Sequence, residues 1–256
     1  MTEVPLWRRI AEPLLWFAGL LLIWEALVRG LDISRLFLPA PSEFLWRIVE
    51  DYQRLTRHAL ITLRLILMGF VAGVIPGVIL GYLIAKYRLA EQILYPVVIF
   101  IQGMPKITLA PLMLVWFGFA DFPKVLLTGL ITFFPVLVDS VTGFKSIDPR
   151  QYYLSRSVGA SWWQTFRLFE LPSALPHIFA GMRITIVIAV TVVLVVEWLN
   201  SKTGLGFLVL RANNAHDMTT IFAILTVASA MGLLLSGFVA LLERLAMPWR
   251  KKSGAH

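Results

Sequence analysis

Long apolar runs alternate with short polar segments along this chain, and their positions predict six membrane spans: 13–28, 61–85, 93–118, 125–143, 178–199 and 218–242. A helix needs about 20 mostly apolar residues to cross the hydrocarbon core, so the first run is short for the task. The third is interrupted by Gly103-Met104-Pro105-Lys106. Its halves, of about 13 residues each, are too short to cross alone, so one broken span is expected there rather than two. Residues 29–57 are too polar to span. Within them Leu38-Pro39-Ala40-Pro41-Ser42 predicts a stiff turn, and 43–55 has the periodicity of an amphipathic helix lying flat on the outer face. Asp121-Phe122-Pro123-Lys124 reads as a tight outer turn, and 201–217, with Gly204-Leu205-Gly206, as a polar re-entrant or surface turn.

Two patterns stand out against this alternation. In the second run Gly69, Gly73, Gly77 and Gly81 recur every fourth residue and share one helical face. Such a stripe lets another backbone approach closely, which is how helices associate where lipid removes the hydrophobic drive; it reads as a packing seam, with Pro76 adding a bend. Residues 145–175 form a polar, aromatic-rich island, in which Gly159 can take a positive φ between two helical patterns and Pro172 and Pro176 punctuate the end. An interfacial hairpin with Tyr152, Tyr153, Trp162 and Trp163 at the headgroup level would also produce that pattern.

Composition settles the class: 58% hydrophobic residues and a mean hydropathy of +0.78 describe an all-α polytopic membrane protein, a single domain over 1–256. The net charge of +8 needs no nucleic acid, because the basic residues lie at the ends of runs rather than in an aromatic-lined groove. Without cysteines there is neither a disulfide framework nor a thiolate metal site, and His58, His177, His216 and His256 are scattered. No cleavable leader is expected, since the first apolar run follows Arg8, Arg9 and Glu12 and lacks a small-residue cleavage site. Six spans put both termini on one side. Arg8 and Arg9 at one end and Arg250, Lys251 and Lys252 at the other place that side in the cytoplasm, and with it the island at 145–175.

In the island, Gly159 is followed after nine residues by Phe169-Glu170-Leu171-Pro172. That spacing resembles the cytoplasmic loop of ABC-type importer permeases, in which Glu-Ala-Ala, a Gly and a Leu-Pro recur in this register. Here the Glu-Ala-Ala positions read Tyr153, Leu154 and Ser155, so the geometry of the pattern is kept and its charge is not. Gln102 to Leu112, Trp116-Phe117-Gly118, Phe134-Pro135-Val136, Val158 to Ser161, Glu197, Gly204-Leu205-Gly206 and Pro248-Trp249 extend the resemblance to the nitrate, sulfonate and taurine branch. Pro105-Lys106 looks closer to its pyrimidine and riboflavin members than to its sulfonate members. The resemblance implies a type I importer permease fold in a bacterial inner membrane. It also implies a second permease subunit, two ATPase subunits and an external solute-binding protein as partners. The loop would be two short helices bent at the Gly and seated in an ATPase groove through Gln151, Tyr152, Tyr153, Gly159, Ala160, Ser161, Leu171 and Pro172.

The chain lacks a Gly-x4-Gly-Lys-Ser/Thr phosphate loop, so ATP and Mg are expected in a partner and no cofactor in this chain. Ionisable residues inside spans are expensive and mark transport paths, which makes Lys106 at the break, Asp139 and Glu197 candidates for the translocation pathway, with Gln102 and Met104 flanking the break. A lysine with an acidic partner inserts at lower cost, so Lys106 is expected to pair with Glu197 or Asp139. A secondary transporter or channel working alone is the alternative; it would show paired broken segments in an internal repeat, and one break is found.

Overall fold

The computed structural model describes residues 6–249, which leaves Arg250, Lys251 and Lys252 of the expected cytoplasmic cluster outside the described residues. Among the described residues the apolar runs fold as helices. Four are long and apolar enough to cross a membrane: α3 (Tyr52–Lys86), α6 (Asp121–Lys145), the continuous stretch Trp162–Leu199 that holds all but the last residue of α9 (Leu171–Asn200), and α11 (Met218–Ala246). A fifth candidate is broken. α4 (Arg88–Gln102) and the segment Lys106–Phe117, a single 3-10 turn followed by α5 (Ala110–Phe117), meet at an angle of 78°. The expected first span falls within α1 (Leu6–Gly30), where Trp16, Phe17, Leu20 and Ile23 are exposed.

The centre is built from α3, α6 and α9. Gly69, Gly73, Gly77 and Gly81 all lie on the buried face of α3, against α6. A Cβ on Gly69 would stand 2.5 Å from Thr128 Cβ, one on Gly73 would strike the Thr132 hydroxyl and come within 2.5 Å of the Gly129 carbonyl, and one on Gly81 would lie 2.6 Å from Ser140 Cβ. Gly77 is less tight, at 3.0 Å from the Phe133 carbonyl. The residues opposite are small and hydroxylated, and their hydroxyls are satisfied within α6: Thr128 donates to the Lys124 carbonyl (2.8 Å), Thr132 to that of Thr128 (3.0 Å) and Ser140 to that of Val136 (2.6 Å). Polar side chains thus enter a dry seam without an unpaired donor. Beside the seam, Leu65, Ile66, Val136, Ile186, Val190, Val193, Leu205 and Ile224 form one buried cluster joining α3, α6, α9, α11 and the short helix before α11.

The connections differ from expectation in several places. The segment 43–55 is not one helix: α2 (Pro41–Glu50) stops, and α3 begins after Asp51. Pro41 occupies the first helical position, where a missing N–H costs nothing. The Ser42 N–H donates to Glu25 Oε2 (3.0 Å) and its hydroxyl to Glu25 Oε1 (2.7 Å), so the acidic residue of α1 caps α2. Asp121 to Lys124 is no turn but the first turn of α6, because Pro123 is tolerated there and Asp121 favours the positive end of the helix. Residues 201–217 contain a helix, α10 (Leu205–Asn214), whose Leu205, Leu208 and Ala212 are buried. Pro172 and Pro176 do not end the island. They sit in the first turns of α9, the former at a position that lacks an intrahelical donor.

Gly73→Ala should lower stability by about 1–3 kcal/mol through overpacking against α6. Gly237→Ala, on α11 where the added carbon meets nothing within 4 Å beyond its own helical turn among the described residues, should be neutral or slightly stabilising. Thermal unfolding in detergent reads both, and equal midpoints would contradict the seam.

Candidate functional site

The island folds as two short helices set at an angle. Asp148 caps α7 (Pro149–Ser157) by accepting from the Arg150 N–H at 2.8 Å. The helix ends when the chain turns left-handed at Gly159 (φ 68°): the Gly159 N–H donates to the Arg156 carbonyl (3.1 Å) and the Ala160 N–H to that of Ser155 (2.9 Å). Those two bonds are the Schellman ending, and they need a residue without a Cβ penalty at the left-handed position. Ser161 then opens α8 (Trp162–Thr165) with a reciprocal cap, its N–H donating to Gln164 Oε1 (2.7 Å) while its hydroxyl accepts from the Gln164 N–H (3.3 Å). A π turn over Phe166–Glu170 leads into α9.

One side of this loop is open and apolar. Tyr153 is 73% exposed, and Leu154, Val158, Trp162, Trp163 and Leu168 are exposed with it. The other side is tied to the spans. Trp162 and Trp163 stack on Phe166 (6.0 and 5.6 Å), Phe166 meets Tyr82 edge-on (5.1 Å), and Trp162 Nε1 donates to Tyr82 Oη (3.2 Å). Glu170, 1% exposed, forms an ion pair with Lys86 and accepts from Tyr152 Oη at 3.0 Å. Burial and that bond push the Tyr152 phenol up to about 12, so it stays a donor. Of the residues expected to seat an ATPase, Tyr153, Gly159 and Ser161 are exposed, whereas Gln151, Tyr152, Ala160, Leu171 and Pro172 are half-buried. Glu170 and Lys86 were not expected. The signal for them is one carboxylate and one cation at the ends of apolar runs.

At the opposite end of α3 a second polar cluster is sealed. Glu197 is fully buried and accepts from Thr62 Oγ1 (2.9 Å) and from the Gly206 N–H (2.9 Å). Thr62 Oγ1 in turn accepts from the Leu205 N–H (2.8 Å), and His58 Nδ1 from the Gly204 N–H (3.0 Å). The N-cap amide of Gly204 and the first two amide groups of α10 are therefore met by side chains of α3 and α9. Gly204 cannot cap its own helix, because at φ 100° a Cβ there would run into the Glu197 carboxylate. His58 and Thr62 carry no mark in the sequence; only the fold brings them to Gly204 and Leu205.

The remaining candidates do not converge. Lys106 Nζ donates to the Gln102 carbonyl at 2.7 Å and lies 4.8 Å from the centre of the Phe134 ring. Among the described residues no ion pair joins it to Asp139 or Glu197, which corrects the expected pairing. The physical reason is that Glu197 spends its lone pairs on the start of α10, and Asp139 lies against Gly181 of α9 on another face of α6. Gln102 and Met104 are exposed at the break. No group of three or more metal-ligating side chains occurs among the described residues.

This arrangement has counterparts in known proteins. Residues 77–248, more than half of the chain, match the family model described as binding-protein-dependent transport system inner membrane component. The chain is 35% identical over 244 residues to the formylaminopyrimidine transport permease protein ThiX of Halalkalibacterium halodurans, covering 94% of this chain and 96% of that one. It is 36% identical over 232 residues to the riboflavin transport system permease protein RibX of Chloroflexus aurantiacus, covering 90% and 87%. Among solved structures, the inward-facing MetNI methionine ABC transporter aligns with a TM-score of 0.65 at 18% identity, over 77% of this chain and 97% of that one, which shows a shared fold.

Thr62→Val keeps shape but removes a donor to the buried carboxylate and the acceptor for the Leu205 amide, so it should cost about 1–3 kcal/mol. A thermal midpoint in detergent indistinguishable from the parent protein would show that the cap is not needed.

Proposed function

The chain belongs to the family of binding-protein-dependent transport system inner membrane components, a multi-pass permease subunit of an ABC importer, and on that premise we propose that it carries a small heteroaromatic solute. Membership implies ATPase subunits and a binding protein as partners and removes the stand-alone transporter reading. The observation that carries the solute class is the broken segment at 103–106. There the Lys106 ammonium, held by the α4 carbonyl end, sits over the Phe134 ring beside exposed Gln102 and Met104. A cation, an amide and an aromatic ring around an open break suit a planar ring with polar substituents. The names of the relatives for formylaminopyrimidine and riboflavin support the same class. Sulfonate is the other class in view, since the chain is also 30% identical to the putative aliphatic sulfonates transport permease protein SsuC of Bacillus subtilis.

In this reading two copies of the chain pair around the pathway, with both termini in the cytoplasm. The exposed face of the island, from Tyr153 to Trp163, seats in a groove of an ATPase subunit. ATP and Mg are bound and turned over there, and this chain does no bond-making chemistry of its own. Because the Glu-Ala-Ala charge is absent, docking relies on apolar and aromatic contact with the turn at Gly159 held rigid.

Gly159→Val forces a β-branched residue to φ 68°, a conformation it rarely adopts. The variant should insert normally and lose at least tenfold in uptake of labelled formylaminopyrimidine or riboflavin by vesicles holding the whole importer, and undiminished uptake would reject the coupling role. Lys106→Met should abolish uptake in the same vesicles while the ATPase subunits still co-purify; loss of the assembled complex would make the lysine structural instead.

A further inference from the structure

A loop that transmits force needs a firm attachment to the spans, and α7 has little packing to provide one. Of its residues only Ser155 is fully buried, and Tyr153 and Leu154, with Val158 just after the helix, are exposed. The second helix is different, because Trp162, Trp163 and Phe166 bind it into an aromatic stack with Tyr82 and Phe144. Stacking thus fastens α8, and something else must fasten α7.

That attachment is polar and concentrated on one atom. Glu170 Oε1 takes the Tyr152 hydroxyl of α7 at 3.0 Å and forms the ion pair with Lys86, the last residue of α3. Glu170 closes the π turn and directly precedes α9. Such a turn shifts the helical register by one residue, and the carboxylate that closes it faces α3. The Lys86 ammonium also lies 5.7 Å from the centre of the Tyr152 ring and 5.9 Å from that of Tyr82, so the cation touches both helices it joins. Glu170 Oε2 is buried and takes no hydrogen bond among the described residues. The Tyr152 and Lys86 contacts therefore both meet at Oε1, where α3, α7 and α9 come together.

We propose that Glu170 is a positioning residue that latches α7 to the cytoplasmic ends of α3 and α9, so that displacement of the loop reaches the spans; the proposal rests on the coupling role given to the island above. Charge-assisted hydrogen bonds are short and directional, and a buried carboxylate cannot leave its partners without a large desolvation penalty. A contact of that kind resists sliding. Apolar contact alone, of which α7 makes little, does not.

The chain has no cysteine, so Ser157→Cys on α7 and Arg88→Cys just beyond α3 give a unique pair for spin labels. Labelled permease is diluted with unlabelled permease in the complete importer, and the distance distribution is measured without nucleotide and after vanadate trapping with ATP and Mg. With the latch intact the distribution should stay narrow in both states. Tyr152→Phe, which removes only the phenolic oxygen, should widen it at least twofold in the trapped state. Lys86→Met should do the same and Lys86→Arg, which keeps the cation, should not. A simple loss of stability would lower the thermal midpoint of the complex without distinguishing Lys86→Arg from Lys86→Met. Tyr152→Phe with the parental distribution would overturn the latch and leave the coupling role standing. Failure of the unsubstituted protein to bind any ATPase subunit would overturn both.

Discussion

The backbone contact between α3 and α6 is the constraint that the rest of the structure depends on. In lipid the hydrophobic effect does not drive two helices together, so association must come from close packing and satisfied polar groups. Glycines at four successive turns of α3 and hydroxyl residues at Thr128, Thr132 and Ser140 of α6 supply both. Once α6 is joined along nearly its whole length to the second half of α3, the two ends of α3 are fixed apart. One end of α3 then presents His58 and Thr62, and the other presents Tyr82 and Lys86. Each pair organises a short helix that could not hold its place alone.

The same economy governs the short helices near the α3 start. A helix end buried without water leaves amide groups that cost energy unless a side chain meets them. Glu25 meets the Ser42 amide at the start of α2, and Glu197, Thr62 and His58 meet three amides at the start of α10. Carboxylates inside apolar runs are often read as markers of a transport path. Here Glu197 is consumed by a capping duty, and its position at the end of α9 is what lets it reach around to α10. Lys106 remains beside an open break, and it is this contrast between a sealed acid and an accessible cation that separates scaffold from candidate pathway.

At the other end of α3, packing and charge divide the island between them. Aromatic stacking holds α8 against Tyr82 and Phe144, while α7 reaches the spans through Tyr152 and Glu170. Tyr153, Leu154 and Leu168 stay exposed while Tyr152, Phe166 and Glu170 are committed to contacts with the spans. A rigid left-handed turn at Gly159 keeps the two helices at a set angle.

Much of this was legible in the sequence because membrane spans and glycine stripes are local patterns. Run length and composition identify a polytopic all-α protein, a four-residue glycine period marks the close helix face, and the spacing from Gly159 to Leu171-Pro172 carries the resemblance to importer permeases. The break at Gly103 to Lys106 is equally local. The helix starts at Asp121 and Leu205 are not legible in this way, since proline and glycine signal turns in isolation but are tolerated in a first turn or required at a cap. What only the tertiary structure decided is which polar groups meet. Glu197 with Thr62 and Glu170 with Lys86 lie 135 and 84 residues apart. No periodicity encodes such distances, because a side-chain hydrogen bond depends on where two helices come to rest and not on the spacing along either one.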